Sequence, residues 1–295
     1  MTRPYANAAA FRDALESRLR DLAQARGVQI QGLRLKITME RLIARLFHDS
    51  SAPWLLKGGY AMELRFRPKA RTTRDLDLAI VGPLGAAARA GRLLDVHDAL
   101  MDAAGRDLGD YFEFTIPPAR DELVNAPGGG GVFSVLGKVA GREFARFRID
   151  VGFGDAALGT PERLVGDDLL SFAGIVPPQA LAVPKPQQFA EKLHAYTFPW
   201  TDRENTRSRD LVDMVLLIER GELDRREVLA AIKATFAHRQ RHSVPEELAP
   251  PPSVWSREFP VMATEAGISA TDLDAAFLTL KQFWHELRPR GDCTR

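Results

Sequence analysis

Cysteine is nearly absent from this chain. Cys293 is the only one among 295 residues, so no disulfide can form within the chain, and a reducing compartment fits. No apolar run approaches the ~18 residues of a membrane span. The opening Met1-Thr2-Arg3-Pro4-Tyr5 has no apolar signal core. A cytoplasmic protein with no membrane partner is the expectation. Charge of one sign is also lacking: 40 Lys and Arg stand against 39 Asp and Glu, for a net charge of +1. Bulk electrostatics therefore give no argument for a nucleic-acid partner, and any basic binding surface must be local. No G-x-x-x-x-G-K-[ST] pattern occurs, which excludes a P-loop NTPase. There are no internal repeats, and low complexity is confined to short glycine and proline runs.

What is present is an ordinary globular composition, 45% hydrophobic and 27% charged, on a chain long enough for one large domain or two modest ones. Phe11, Leu15, Leu19 and Leu22 recur at helical steps and predict a helix over 8–25 that Gly27 ends. A second helix is predicted over 33–48. Trp54-Leu55-Leu56 reads as a short buried strand, 60–66 as one or two helical turns, 76–81 as a strand and 86–104 as a helix. Strands follow over 111–116, 132–139 and 143–153, the last two joined at Ala140-Gly141-Arg142 as a hairpin. Gly128 to Gly131, after Pro127, read as a flexible loop. From Pro184 onward the pattern is helical: 186–197, 207–220, 224–240, 256–266 and 271–288, with Asp224 and Thr271 as N-caps. The expected architecture is α/β (α+β): N-terminal helices over 1–50, an α/β core over 51–180, and a helical domain over 181–295.

The chemistry is concentrated in a few short motifs. Leu56-Lys57-Gly58-Gly59 sets a glycine pair at the start of a helix, where backbone N–H groups and the helix dipole can meet phosphate oxygens. Asp75-Leu76-Asp77 follows on the next strand, and period-two alternation puts both carboxylates on one face. Such a pair suits Mg²⁺ (or Mn²⁺), which prefers hard oxygen ligands and substrate phosphates. In Arg146-Phe147-Arg148-Ile149-Asp150-Val151 the apolar residues face one way and Asp150 the other. Asp150 reads either as the third carboxylate of a two-metal site or as a strand-end partner of Arg146 or Arg148. In the helical half, Lys192 and Asp210 carry two readings as well. Asp210 in the first turn of its helix complements the dipole, or Lys192 neutralises triphosphate charge while Asp210 orients the nucleotide or supports a metal. Asp213 follows one turn later.

Two basic clusters stand near these motifs: Arg65, Arg67, Lys69, Arg71 and Arg74, and then Arg203, Arg207 and Arg209. Each is either a solvated turn or part of a local rim for RNA phosphates. His238 and His242, four apart, do not make a zinc site by themselves. His194 reads as a packed helix residue or a nucleotide contact. The four tryptophans read as core or interface residues, with base stacking as the alternative for Trp200 in Phe198-Pro199-Trp200-Thr201. Thr72 and Thr73 are phosphorylation candidates, since a phosphate beside Asp75 would repel an NTP.

Taken in order, Lys57-Gly58-Gly59, Arg71-Thr72-Thr73-Arg74-Asp75-Leu76-Asp77, Ile149-Asp150-Val151, Glu191-Lys192-Leu193-His194-Ala195 and Arg207-x-Arg209-Asp210-Leu211-x-Asp213 resemble the AbiEii/AbiGii-type nucleotidyltransferase toxins, Men toxins included. The glycine pair and Asp-x-Asp are shared across the DNA polymerase β-like superfamily; the later two motifs narrow the match. The resemblance covers about 50–220. It implies a polymerase β-like core with a mixed sheet, and metal-dependent transfer of a nucleoside monophosphate from an NTP. It implies metal ligands Asp75, Asp77 and Asp150. Catalytic roles fall to Lys57, Asp75, Lys192 and Asp210, and nucleotide contacts to Lys57, Gly58, Gly59, Arg74 and Lys192. It also implies a toxin that adds a nucleotide, often a pyrimidine, to the 3′ acceptor end of tRNA, blocking translation, and that has a cognate antitoxin. A role in phage defence goes with that reading; a monomer is the default expectation, apart from the resemblance. Tyr60 departs from the small Ser or Thr that often follows the glycine pair. The alternatives are transfer to a protein hydroxyl or small molecule, and an inactive NTP- or RNA-binding module.

Overall fold

The computed structural model describes residues 5–68, 73–82, 93–123, 128–154, 159–201 and 204–288. Within them the chain forms two compact units. The first gathers Met1–Tyr60, Arg74–Asp155 and Glu162–Ala182; the second gathers Ala61–Thr73, Ala156–Pro161 and Val183–Arg295.

The first unit is a mixed sheet with helices. Helix α1 (Ala8–Arg26) starts where the Asn7 side chain accepts from the Ala10 N–H at 2.9 Å, and it stops at Gly27, whose φ of 63° lets its N–H turn back to the Ala23 and Gln24 carbonyls. Helix α2 (Ile30–Leu46) follows. Phe11, Leu15 and Leu19 of α1 and Leu33 and Ile37 of α2 bury their faces against Tyr111, Phe112, Val139 and Phe144. Strand β1 (Trp54–Lys57) leads directly into helix α3 (Gly58–Phe66), and β2 is Asp75–Ile80. Helix α4 is described over Leu93–Ala104; the earlier part of its predicted span lies outside the described residues. Then come β3 (Phe112–Thr115), the two-residue β4 (Asp121–Glu122), β5 (Gly130–Val139), β6 (Arg142–Gly152), β7 (Glu162–Val165) and β8 (Gln179–Ala182).

The sheet order is β3-β5-β6-β2-β1-β8-β7, with β4 beside β5. β2–β6 and β1–β8 are parallel; the other pairs are antiparallel. β5 and β6 form the predicted hairpin, and Ala140 and Gly141 turn with φ of 54° and 69°, the left-handed pair that a two-residue connection uses. Two expectations are corrected. Gly130 and Gly131 belong to strand β5, not to a loop: a side chain on Gly130 would stand 2.3 Å from the Val151 carbonyl, so the strands need glycine to approach. β7 and β8 were not predicted, because four-residue strands beside Pro177-Pro178 carry too little alternation to read.

The second unit is helical: α5 (Lys185–Tyr196), α6 (Ser208–Arg220), α7 (Arg225–Arg239), α8 (Phe259–Ala266) and α9 (Leu273–Leu287). Its core joins Phe189 and Leu193 of α5, Leu211 and Val215 of α6, Ile232 of α7 and Trp284 of α9, together with Met62. Trp255 closes it, its indole donating to the Asn205 carbonyl at 2.7 Å. No described helix is long and apolar enough to cross a membrane.

Candidate active site

The sheet register assembles the acidic residues of the first unit. Lys57 on β1 lies opposite Asp77 on β2, and Asp77 lies beside Asp150 on β6. Directly paired residues share a face, so Lys57, Asp77 and Asp150 form one row across three strands. Two residues back along β2 and β6, Asp75 lies beside Arg148 on the same face. Arg148 reaches Asp75 at 3.5 Å, while Arg146 is turned to Glu143 at 2.7 Å. The two arginines considered as structural partners for Asp150 are thus directed elsewhere.

Asp150 carries the unusual environment. Its Oδ1 is buried and has no hydrogen-bond partner. Burial raises its carboxyl pKa above the ordinary range and the Asp75 charge adds to the rise, while the Arg148 and Lys57 charges oppose it. A buried carboxylate oxygen without a donor is costly, and a divalent cation would satisfy it. The donor set of Asp75, Asp77 and Asp150 fits such an ion chemically. As the side chains stand, no group of three or more His, Cys, Asp or Glu among the described residues converges on a metal-binding point.

The glycine pair is built into the same row. Helix α3 begins at Gly58, so the glycine pair opens a helix as expected. Gly58 has φ of 64°, and a Cβ placed on it would lie 1.8 Å from Asp77 Oδ2. Glycine is required there twice over, for backbone conformation and for room beside the carboxylate. Tyr60 does not take the place of a phosphate-contacting hydroxyl. It is fully buried and its hydroxyl bonds Glu40 on α2 at 3.2 Å. Arg74 is exposed just before β2.

The second unit holds its own charged knot. Lys192 on α5 donates to Asp213 at 2.7 Å and to Asp210 at 3.1 Å, both on α6, and Arg207 stands 3.8 Å from Asp210. The i, i+3 spacing of Asp210 and Asp213 puts both carboxylates on the face of α6 that meets α5. Asp213 is the buried member, with 1% of its side chain exposed against 13% for Asp210. Sequence reasoning gave Asp213 no role; its signal was an acid among the apolar positions of α6, buried between Val212 and Met214.

The basic clusters divide. Arg65 is committed inside the helical unit, to the Gln188 side chain and the Val183 carbonyl. Lys69, Arg71 and Arg203 lie outside the described residues, as do Thr72 and Cys293, while Thr73 is buried and so a poor phosphorylation site. His194 is buried, and with His242 and Phe236 it forms a ring cluster with centroids 4.4–5.0 Å apart. A groove of about 1170 Å³ in the first unit, lined by Phe47, His48, Ile175 and Leu181, lies where β1 and β8 begin. Lys57 and Gly58 lie where β1 ends, so the groove is at the opposite end of these strands from the carboxylates.

Set beside known proteins, the chain matches a family model described as "Nucleotidyl transferase AbiEii toxin, Type IV TA system" over residues 41–279. Among solved structures it is similar to MenT4, a nucleotidyltransferase toxin from Mycobacterium tuberculosis H37Rv. The identity is 16% and the TM-score 0.53, over 88% of this chain and 94% of that chain. At that identity the likeness establishes a shared fold. No curated protein matches the chain.

Proposed function

The chain belongs to the AbiEii family of type IV toxin–antitoxin nucleotidyltransferase toxins, and on that premise we propose that it moves a nucleoside monophosphate from an NTP, preferably a pyrimidine nucleotide, to the 3′ acceptor end of tRNA, halting translation. Asp75, Asp77 and Asp150 would hold Mg²⁺ or Mn²⁺. The observation that carries this is the buried, unpartnered Asp150 Oδ1 in register with Asp77. When bound, a divalent ion supplies positive charge to the phosphate oxygens of the transferred group and leaving pyrophosphate.

The protein's own residues then have distinct tasks. The N–H groups opening α3 at Gly58 and Gly59 donate to phosphate oxygens without side-chain obstruction. Lys57, in the row with Asp77, offers a cation where negative charge accumulates, and exposed Arg74 offers a second. Asp75, held by Arg148, keeps its carboxylate on the active face. Lys192 and Asp210 are retained as essential residues on the family resemblance, with Asp213 fixing the lysine ammonium. Membership of a type IV system implies a cognate antitoxin.

The test is incorporation of each labelled NTP into purified total tRNA with Mg²⁺, wild type against Asp75→Ala. Label on tRNA from the wild type alone supports the reading and identifies the donor. Pyrophosphate release without tRNA label would retain the reaction and move the acceptor to a protein hydroxyl or small molecule. No turnover with any acceptor would leave an NTP- or RNA-binding module.

A further inference from the structure

Phe198 and Trp200 after α5, Arg207 before α6 and Arg241 after α7 make a surface that the proposed chemistry does not use. Phe198 and Trp200 are half-buried, with ring centroids 4.9 Å apart at 70°. The Arg207 guanidinium lies 5.6 Å from the Trp200 ring centre, and the Arg241 guanidinium lies 5.6 Å from that of Phe198. The groups therefore follow in the order Arg207, Trp200, Phe198, Arg241, two adjoining rings with a guanidinium at either end. Arg207 joins this ladder to Asp210, and Asp210 to Lys192.

The ladder is anchored from beneath. Phe198 meets the His242 ring edge-on at 5.8 Å, and His242 packs on His194 and Phe236. Thr197 Oγ donates to the Leu193 carbonyl at 2.8 Å, so the 2.9 Å contact from His242 Nε2 to that hydroxyl is a donation by the imidazole. Both ends of the Phe198 support are therefore fixed by hydrogen bonds or packing.

We propose that this ladder binds an unpaired RNA strand, rings taking bases and the flanking guanidiniums taking phosphates. Ring faces accept any base, and guanidinium both stacks and pairs with phosphate, which together are the two recognition elements of single-strand binding. A duplex keeps its bases stacked on one another and offers none to the rings. On a chain of net charge +1, the affinity must come from such a local cluster. The inference rests on the proposed RNA acceptor and names the strand surface that would hold it.

The test is equilibrium binding of a short fluorescent single-stranded RNA, and of its fully paired duplex, to the full chain without NTP. Wild type is expected to prefer the single strand. Trp200→Ala and Phe198→Ala should each weaken it about 5- to 150-fold, with Trp200→Phe retaining most affinity. Exposed Arg241→Ala should weaken binding and lower the salt dependence by about one ion, and it tests the ladder with little risk to folding. Unchanged single-strand affinity in Trp200→Ala and Arg241→Ala, while wild type still labels tRNA, would overturn the ladder and leave the proposed function standing. Loss of RNA affinity in both variants, from an enzyme that labels no tRNA, would support the ladder and overturn the acceptor. Equal binding of strand and duplex would also overturn it.

Discussion

Asp77 occupies the space that any side chain on Gly58 would need, so Gly58 tolerates no substitution without a shift of that carboxylate. Gly58→Ala is expected to cost at least about 1–2 kcal/mol from its left-handed backbone alone, and to displace the Asp77 carboxylate. Nucleotide transfer should fall below detection while urea denaturation still shows a folded protein. His194 illustrates a second residue-scale effect. Burial, with the Arg239, His242 and Arg241 charges adding to it, lowers its pKa from 6.5 to about 3. The folded state therefore keeps it neutral, whereas the unfolded chain protonates it below about 6.5. The contribution is fully present above that value and is lost as pH falls from about 6.5 toward 3, by at most ~1.4 kcal/mol per pH unit. Melting temperature should drop between pH 7 and pH 5 in the wild type, and the slope should be shallower in His194→Gln. Parallel pH profiles would remove His194 as the cause.

At the scale of elements, α2 is tied to the start of β3 by charge as well as by its apolar face. Arg41 and Arg45, one turn apart, both reach Asp110 at 2.7 Å, and Arg45 also donates to the Phe112 carbonyl at 2.8 Å. Burial alone would raise the Asp110 carboxyl, but the hydrogen bonds and charges of Arg45 and Arg41 outweigh it and hold its pKa below the ordinary range. Asp110→Asn leaves two guanidiniums facing a neutral amide in a dry site. A loss of about 3–5 kcal/mol is expected, read as a lower urea midpoint. A similar logic orders the α5–α6 contact, where Lys192 is held by Asp213 and Asp210. Replacing Asp213 would leave the lysine to Asp210 as well as remove a buried charge, so its effect on transfer and its effect on stability should be measured together.

At the scale of the whole molecule, metal binding gives a readout separate from turnover. A ligand that binds only the folded state at 100 times its Kd adds about 2.7 kcal/mol of stability. Mg²⁺ is expected to raise the melting temperature of the wild type, and the rise should vanish in Asp150→Asn, which keeps the shape and removes the charge. An equal Mg²⁺ shift in both proteins would place the ion elsewhere.

Much of this protein was readable from sequence because local periodicity encodes it. Phe11, Leu15 and Leu19 define the face of α1, Ala140-Gly141 the hairpin turn, and period-two alternation the shared face of Asp75 and Asp77. The order of short motifs was enough to recognise the family. Strand register was not readable, because nothing local in β2 or β6 states that Asp77 will lie beside Asp150. For the same reason β7 and β8, the turning of Tyr60 toward Glu40, and the capture of Lys192 by Asp213 emerged only from tertiary structure. Sequence determined which residues are candidates for the chemistry and which face of each element they share. Long-range pairing and burial decided which carboxylate lies beside which cation, because those contacts join segments far apart in the chain.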